Sequence, residues 1–288
     1  MDQRTLEVDG PGRRYSLAYT TFGKLDASSG SDNGRAIICV HGLTRNGRDF
    51  DALASALADK AFVVCPDIVG RGRSDWLDDP KDYEVPTYAS HMLQLIQHLG
   101  VSEVDWIGTS MGGLIGMGIA AMEENPIQRL VLNDVGPFIP SSALERIGTY
   151  LGLELVFDDR AALEAHLRQI HAPFGPLSDE QWAHLADHSA RSRADGKTVL
   201  GYDPKIAEPF KAADPVENLD LWPIFESIRC PTLVLRGDDS DLLLEETARQ
   251  MTETGPKAEL VTVDGVGHAP ALMAPDQTEA IKSWLFKS

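Results

Sequence analysis

One short motif constrains this chain more than any other feature. The sequence Gly108-Thr109-Ser110-Met111-Gly112 lies between an apolar run over residues 104–107 and a helix-like segment over residues 113–122. At a strand-to-helix junction, Gly-x-Ser-x-Gly forces the serine into a strained backbone conformation at the tip of the turn. Glycine is needed on both sides because a Cβ atom would collide with the neighbouring strand or helix. An ordinary turn would not need a serine there, so the motif predicts Ser110 as a nucleophile.

Short apolar runs alternate with amphipathic segments on both sides of this motif. Runs such as Ala36–Val40 and Phe62–Cys65 are typical of strands that are buried on both faces of a parallel sheet. Strands that alternate with helices form right-handed crossovers. The pattern therefore predicts an α/β fold with a mostly parallel sheet flanked by helices.

The alternation stops after Asp134 and resumes at Thr232. The intervening segment shows helical periodicity without a convincing buried strand, and prolines separate its short helices. We therefore predict a core domain of residues 1–136 and 229–288, interrupted by a helical cap of residues 137–228. An insertion of this kind would cover the sheet edge at which open α/β folds bind ligands.

The composition argues against several classes of function. A formal net charge of −18 at pH 7 disfavours nucleic acid and anionic membranes as partners. No run approaches the ~18–20 apolar residues of a membrane span, and the N-terminus lacks a signal-peptide core, so we expect a cytoplasmic protein. Cys39, Cys65 and Cys230 are expected to be small buried hydrophobes. We predict no metal, because no Cys/His cluster has metal-ligand spacing.

Three further signals follow apolar runs, as Ser110 does. They are His41-Gly42-Leu43-Thr44, the carboxylate-rich segment 237–241, and Gly265-Val266-Gly267-His268. The carboxyl ends of parallel strands share one sheet edge, which would bring these segments together. Serine, acid and histidine in this chain order are typical of one serine-hydrolase architecture.

With these motifs, the chain resembles the α/β-hydrolase family over nearly all of its length. The matching segments are His41-Gly42, residues 67–75, residues 108–112, residues 236–241 and Gly267-His268. The resemblance implies an eight-stranded, mostly parallel sheet with a helical cap after the sixth strand. It also implies a nucleophile–acid–histidine triad. Dehalogenases and epoxide hydrolases that look similar place aspartate at the elbow, so Ser110 leaves esterases, lactonases, thioesterases and C–C bond hydrolases.

The residue types suggest a mechanism. A serine hydroxyl is a poor nucleophile until a base takes its proton, and His268 is the candidate base. The backbone N–H groups of Leu43 and Met111 are candidate donors to the oxyanion of a tetrahedral intermediate. No cofactor is required by this chemistry.

Three carboxylates compete for the role of the triad acid. Members of the family usually carry it three or four residues after the glycine that ends the seventh strand, and Asp241 lies four residues after Gly237. Asp134 is a rival, because some members that look like this family carry the acid after the sixth strand. Asp239 lies in the tight part of the turn, where it would more naturally cap backbone N–H groups. We therefore expect Asp241 to be the acid, with Asp134 as the main alternative.

The substrate is expected to be a small-molecule ester with a small or medium acyl group. We assign its contacts to His41, Gly42 and Trp182, with His41 mainly shaping its loop through hydrogen bonds. A lactone or the C–C bond of a ring-cleavage product is an alternative target for the same triad. A ligand receptor with little turnover is an alternative from a different class. The sequence does not indicate the oligomeric state.

Overall fold

A computed structural model describes residues 1–25, 35–212 and 216–287 of the chain. The polar segment 26–34, for which the sequence predicts an exposed loop, lies outside these described residues. So does Pro215, which the sequence places at a break between helices.

Strands and helices alternate through most of the described chain. The strands are β1 (Asp2–Asp9), β2 (Arg14–Phe22), β3 (Ala36–Val40), β4 (Phe62–Pro66), β5 (Val104–Thr109), β6 (Ile127–Asn133), β7 (Phe138–Ile139), β8 (Val156–Phe157), β9 (Ala190–Ser192), β10 (Thr198–Leu200), β11 (Leu219–Asp220), β12 (Thr232–Gly237) and β13 (Glu259–Val263). The helices are α1 (Asp51–Leu57), α2 (Val85–Leu99), α3 (Met111–Ala120), α4 (Ser141–Tyr150), α5 (Arg160–Ile170), α6 (Asp179–Ser189), α7 (Glu208–Ala212), α8 (Trp222–Ser227), α9 (Glu245–Glu253) and α10 (Pro275–Leu285).

Eight of these strands form one sheet in the order β1-β2-β4-β3-β5-β6-β12-β13. The pairs β1/β2 and β2/β4 are antiparallel, and every other neighbouring pair is parallel. The prediction of a mostly parallel, eight-stranded sheet is confirmed. Because β3, β5, β6, β12 and β13 run in one direction, the loops that follow them meet at one edge of the sheet.

The central strands are apolar throughout because both faces of the sheet are covered. In β3, Ala36, Ile38 and Val40 belong to one apolar cluster, whereas Ile37 and Cys39 belong to another on the opposite face. Helices α2 and α3 contribute to the first cluster, and α1 and α10 to the second. Alternate side chains of a strand point to opposite faces, so burial on both faces gives an unbroken apolar run.

Residues 138–227, the inserted segment, lie between β6 and β12 and contain α4 to α8. Besides these helices, the segment forms two small sheets, β8-β10-β9 and β11-β7, that the sequence did not predict. Their strands have only two or three residues, too few for a period-two pattern to register in a sequence. The boundaries at residues 137 and 228 and the capping role stay predictions.

None of the described helices combines the length and the apolar character that a membrane crossing would need. Cys39 and Cys65 are fully buried with free thiols, and Cys230 is half-buried. Burial raises the pKa of the Cys65 thiol well above its usual range. These thiols therefore act as small apolar side chains, as expected from the sequence.

Candidate active site

Ser110 occupies the tight turn between β5 and α3. Its φ of 51° lies in the left-handed region, which is unusual for a residue other than glycine. A Cβ atom on Gly112 would lie 2.0 Å from the carbonyl oxygen of Val40, so only glycine fits beside the strand. The indole of Trp106 donates a 2.9 Å hydrogen bond to the Gly112 carbonyl and ties the helix to the strand. The turn thus holds Ser110 rigidly at the edge of the sheet.

His268 lies on the loop after β13 and contacts Ser110 directly. Its Nε2 is 3.0 Å from the Ser110 Oγ, and its Nδ1 is 2.7 Å from Oδ2 of Asp134. A carboxylate can only accept, so Nδ1 carries the proton and Nε2 accepts from the serine hydroxyl. This arrangement allows the imidazole to take the serine proton while the carboxylate stabilises the resulting imidazolium.

Asp134 follows β6 directly and is fully buried, with an exposed fraction of 0%. Besides the His268 ring, its carboxylate accepts hydrogen bonds from the Gly237 backbone N–H at 2.9 Å and the Ser240 hydroxyl at 2.6 Å. A buried carboxylate needs such donors, because an isolated charge away from water is costly. The loop after β12 therefore holds the acid in place without supplying it.

The structure does not bring Asp241 to His268, which corrects the expectation for the acid. The Asp241 carboxylate is exposed and accepts a 2.9 Å hydrogen bond from Nη2 of Arg146 on α4. The chain turns tightly after Gly237, so Asp241 points towards the inserted segment instead of the histidine loop. Asp239 is hydrogen-bonded to that loop through its backbone N–H, which donates to the Val266 carbonyl at 3.0 Å. Among the three candidates, Asp134 alone contacts His268.

The two candidate oxyanion donors lie near Ser110. Met111 is the first residue of α3, and Leu43 lies on the loop after β3, where it lines the same pocket as Ser110. Among the described residues, neither backbone N–H has an acceptor. Gly42 packs against the elbow, since a Cβ atom on it would lie 3.7 Å from the Cβ of Ser110. Both N–H groups are therefore available to a bound substrate.

His41 does not line the pocket above Ser110, which corrects its assignment as a substrate contact. The side chain is buried; its Nδ1 donates to the Gly42 carbonyl at 2.7 Å, and its Nε2 accepts from the Ile68 N–H at 2.9 Å. Burial is the main reason that the pKa of His41 falls to about 3, so the ring is neutral near pH 7. Both nitrogens are engaged, and His41 shapes its loop.

A pocket of about 350 Å³ opens above Ser110 and His268. Loops of the sheet edge form one side, and the inserted segment contributes Arg146, Ile147, Tyr150, Ile170, His171, Pro173 and Phe174. The His171 ring stacks on Phe174 with centroids 4.4 Å apart, and burial lowers the pKa of His171 well below its usual range. The inserted segment thus contributes apolar rings, a neutral imidazole and the Arg146 guanidinium, and the loops of the sheet edge contribute Arg45, Asp239 and Asp241.

Trp182 does not line this pocket, which corrects its assignment as a substrate contact. Its ring is buried with Leu163, Leu167 and Leu185 of the inserted segment and with Met273, which precedes α10. On a helix, an aromatic residue that faces a ligand and one that faces a neighbouring helix give the same sequence pattern. Tyr150 and Phe174 are the residues of the inserted segment whose phenyl rings reach the pocket.

The sequence profile of the alpha/beta hydrolase fold matches residues 35–275. The chain belongs to the α/β-hydrolase family. This confirms the resemblance inferred from the motifs. An alpha/beta hydrolase from Novosphingobium aromaticivorans has a similar structure, with 36% identity, a TM-score of 0.84, and coverage of 99% of this chain and 97% of that chain.

Two relatives of this α/β hydrolase extend over most of its length. A 3-hydroxybutyrate-oligomer hydrolase from Cupriavidus necator is 49% identical over 279 residues, which are 94% of this chain and 93% of the relative. A 2-(acetamidomethylene)succinate hydrolase from Mesorhizobium japonicum is 25% identical over 275 residues, 92% of this chain and 91% of the relative. This α/β hydrolase is therefore a hydrolytic enzyme.

One cluster in the described part of this α/β hydrolase has the residue types of a cation site. It consists of Asp51, His184 and His188. The Asp51 carboxylate already accepts a 2.8 Å hydrogen bond from Nε of Arg48, and Nε2 of His184 lies 2.8 Å from the Arg48 carbonyl. The spacing of the two histidines, four residues on α6, is the sequence signal for this pair. Arg48 thus already occupies the Asp51 carboxylate. The absence of a bound metal stays a prediction.

Sequence reasoning assigned no role to Arg146 or Tyr150, which both line the pocket. They are one helical turn apart on α4, so they share a face of that helix. Residues with this spacing also occur on many surface helices. Only the packed structure shows that Arg146 and Tyr150 face the pocket.

Proposed function

We propose that this α/β hydrolase cleaves carboxylic esters through an acyl-enzyme on Ser110, with oligomers of 3-hydroxybutyrate as its substrate class. The hydrogen-bonded chain Ser110–His268–Asp134 is the observation that carries this proposal. Its distances of 3.0 Å and 2.7 Å match those needed for proton transfer during acyl transfer.

In the proposed reaction, His268 takes the Ser110 proton as Oγ attacks the ester carbonyl. The oxyanion accepts hydrogen bonds from the N–H groups of Leu43 and Met111, and each such donor typically contributes ~3–4 kcal/mol to the transition state. His268 then donates its proton to the departing alkoxide, and the alcohol leaves. Water, deprotonated by His268, attacks the acyl-enzyme; the bond to Oγ breaks, the acid is released, and His268 returns the proton to Ser110. Asp134 stabilises the imidazolium in both half-reactions.

The substrate class rests on the relative from Cupriavidus necator, whose name specifies 3-hydroxybutyrate oligomers and whose identity with this chain is 49%. The chemistry of the pocket is compatible with such a substrate. A short hydroxy acid oligomer carries ester bonds, apolar methyl groups and a terminal carboxylate. Phe174 and Ile170 offer apolar contacts, and Arg146 offers the complementary charge.

Arg146 is available for a substrate carboxylate because its present partner is weakly held. The Arg146–Asp241 pair has side-chain exposures of 41% and 51%, and exposed ion pairs typically contribute about 0–1 kcal/mol. Arg45, the other arginine at the pocket, is engaged more fully: its Nη2 lies 2.7 Å from Asp49 and its Nη1 donates to Ser189. We therefore propose that the free carboxylate of the oligomer binds Arg146 and displaces Asp241.

Hydrolysis of the 3-hydroxybutyrate dimer by the purified protein tests this proposal, with p-nitrophenyl butyrate as a general ester. We expect turnover of both esters and loss of several orders of magnitude in kcat for Ser110→Ala, because the three residues act as a unit. A fluorophosphonate probe should label Ser110, located by peptide mapping. An adduct on another serine would contradict the assignment of the nucleophile.

The same assay separates the alternatives. A preference for a lactone or for a ring-cleavage product over both esters would move the substrate class while retaining Ser110. Binding of these compounds without turnover by the wild-type protein would indicate a ligand receptor. Turnover of p-nitrophenyl butyrate but not of the dimer would retain the esterase and reject the oligomer.

A further inference from the structure

Arg71 is a buried cation beside the candidate oxyanion site, and the mechanism above does not use it. Its side chain has an exposed fraction of 0% and is among the largest fully buried ones in the protein. No carboxylate of the described residues lies within ion-pair distance of it. A buried charge without a counter-ion is costly, so such a residue calls for a physical reason.

The polar contacts of the guanidinium connect the two residues that carry the candidate oxyanion donors. Nε donates to the Leu43 carbonyl at 2.8 Å, and Nη2 lies 3.5 Å from the Met111 sulfur. Nη1 completes the set, donating to the Val69 carbonyl at 2.8 Å and to the Tyr88 hydroxyl at 2.9 Å. One side chain therefore holds both candidate oxyanion donors from behind.

The loop that carries Arg71 is itself held on two sides. The Gly72 N–H donates to the Gly201 carbonyl at 2.9 Å, and the Asp203 N–H donates to the Gly70 carbonyl at 2.8 Å. The rings of Tyr88 and Tyr83 lie 4.9 Å and 5.7 Å from the guanidinium carbon. These contacts limit the motion of the guanidinium, as a positioning role requires.

We propose that Arg71 is a positioning residue for oxyanion stabilisation. It fixes the loop of Leu43 and the first residue of α3 at the spacing that a tetrahedral oxyanion needs. It also places a positive charge behind both donors, in surroundings where burial weakens screening. The proposal rests on the proposed ester hydrolysis, because it assigns Arg71 to the stabilisation of that reaction's intermediate. Arg71 does not line the pocket and touches no substrate.

Two binding constants distinguish this role from a purely structural one. Butylboronic acid forms a tetrahedral adduct with a serine nucleophile and mimics the oxyanion, whereas butyrate reports on ground-state binding in the pocket. For Arg71→Met, we expect kcat/KM for p-nitrophenyl butyrate and affinity for butylboronic acid to fall together, by about 10²-fold, the range measured for loss of an oxyanion donor. The Ki of butyrate should stay within about threefold, because the pocket walls are unchanged.

Arg71→Lys and Met111→Leu keep the proposal testable if Arg71→Met does not fold. Lysine retains the charge but lacks the planar fork, so it should retain about tenfold more kcat/KM than methionine when both fold, and should lie below wild type in any case. Met111→Leu conserves volume while it removes the sulfur contact, and should lower boronate affinity by about 3–10-fold. Unchanged boronate affinity in both variants would overturn the proposal.

Arg129→Met is the matched control. Nη1 of Arg129 donates to the carbonyls of Trp284 and Leu285 at 3.1 Å and 2.7 Å, near the amino end of β6 and away from Ser110. It should lose stability but keep both inhibition constants, which separates loss of a partly buried arginine from loss of oxyanion stabilisation. Failure of the proposed function has a different signature: wild-type protein would show neither ester turnover nor a boronate complex. Equal loss of boronate and butyrate binding in Arg71→Lys would also contradict the proposal, because it would indicate a deformed pocket.

Discussion

Oδ2 of Asp134 lies 2.7 Å from Nδ1 of His268, although the two residues are 134 positions apart in the chain. Asp134 follows β6 and His268 follows β13, with β12 between these strands in the sheet. The Asp134 side chain crosses the end of β12, where the Gly237 N–H and the Ser240 hydroxyl bind it. The carboxylate that contacts His268 is therefore supplied by one loop and held by the next.

This geometry predicts which carboxylate the reaction needs. Asp134→Asn should lower kcat for p-nitrophenyl butyrate by about 10³–10⁴-fold, because an amide no longer enforces the tautomer or stabilises the imidazolium. Asp241→Asn is the matched control and should keep kcat within about threefold. The Asp241 carboxylate is hydrogen-bonded to Arg146 and not to His268. Steady-state kinetics with melting curves distinguish the two. If Asp241→Asn were inactive and Asp134→Asn active, the triad acid would be Asp241, on the loop after β12.

Two aromatic side chains of the inserted segment, Phe174 and Trp182, should behave differently on truncation. Phe174→Ala should change the ratio of kcat/KM between acetyl and hexanoyl esters, because Phe174 lines the pocket. The change should correspond to ~1–3 kcal/mol of transition-state free energy. Trp182→Ala should leave that ratio unchanged and lower the free energy of unfolding by about 3–5 kcal/mol, as buried aromatics do. A series of p-nitrophenyl esters and urea titrations measure the two effects. A shifted chain-length profile in the Trp182 variant would place its ring at the substrate.

The charge at the pocket predicts a response that depends on the substrate's ionisation. Asp241→Asn frees the Arg146 guanidinium, so KM for the anionic 3-hydroxybutyrate dimer should fall by about 3–10-fold, the equivalent of about 1 kcal/mol. Arg146→Gln should raise that KM by a similar factor. The methyl ester of the dimer is the matched neutral substrate, and its KM should change little in either variant. Equal effects on the acid and the methyl ester would exclude recognition of the carboxylate by Arg146.

Stability should fall in mild acid, partly because of His91. Its ring is buried, neither ring nitrogen has a hydrogen-bond partner among the described residues, and burial lowers its pKa to about 4. The unfolded chain takes up the proton near pH 6.5, whereas the folded protein takes it up only near pH 4. This contribution to stability is present above pH 6.5 and is lost as the pH falls from 6.5 towards 4. At pH 4.5 the free energy of unfolding should be lower by about 2 kcal/mol on this account.

Urea titrations at pH 7 and pH 4.5 test this expectation. In His91→Leu, the stability difference between the two pH values should shrink by about 2 kcal/mol relative to wild type. His98→Gln is the control, because His98 lies on the same helix but is exposed. An unchanged difference in the His91 variant would show that its burial does not oppose protonation.

The sequence alone determined the parts of this protein that depend on local geometry. A Cβ atom at Gly112 would lie 2.0 Å from a carbonyl oxygen, so the tight turn at Ser110 requires glycine there. The glycine can therefore be used to predict the turn from the sequence. The unbroken apolar runs of β3 and β4 record burial on both faces of a sheet. From these features followed the α/β fold, the family and the position of the serine.

Only the tertiary structure decided between side chains that share the same local pattern. Asp134 and Asp241 both follow a buried parallel strand, and each is compatible with the acid in a linear reading. The turn after β12 directs Asp241 towards Arg146, whereas the chain after β6 directs Asp134 beneath His268. Likewise, Trp182 lies on a helix whose periodicity does not reveal what the ring faces. Side-chain direction at a sheet edge and across a helix pair depends on contacts between segments far apart in the chain, so it is decided when they pack.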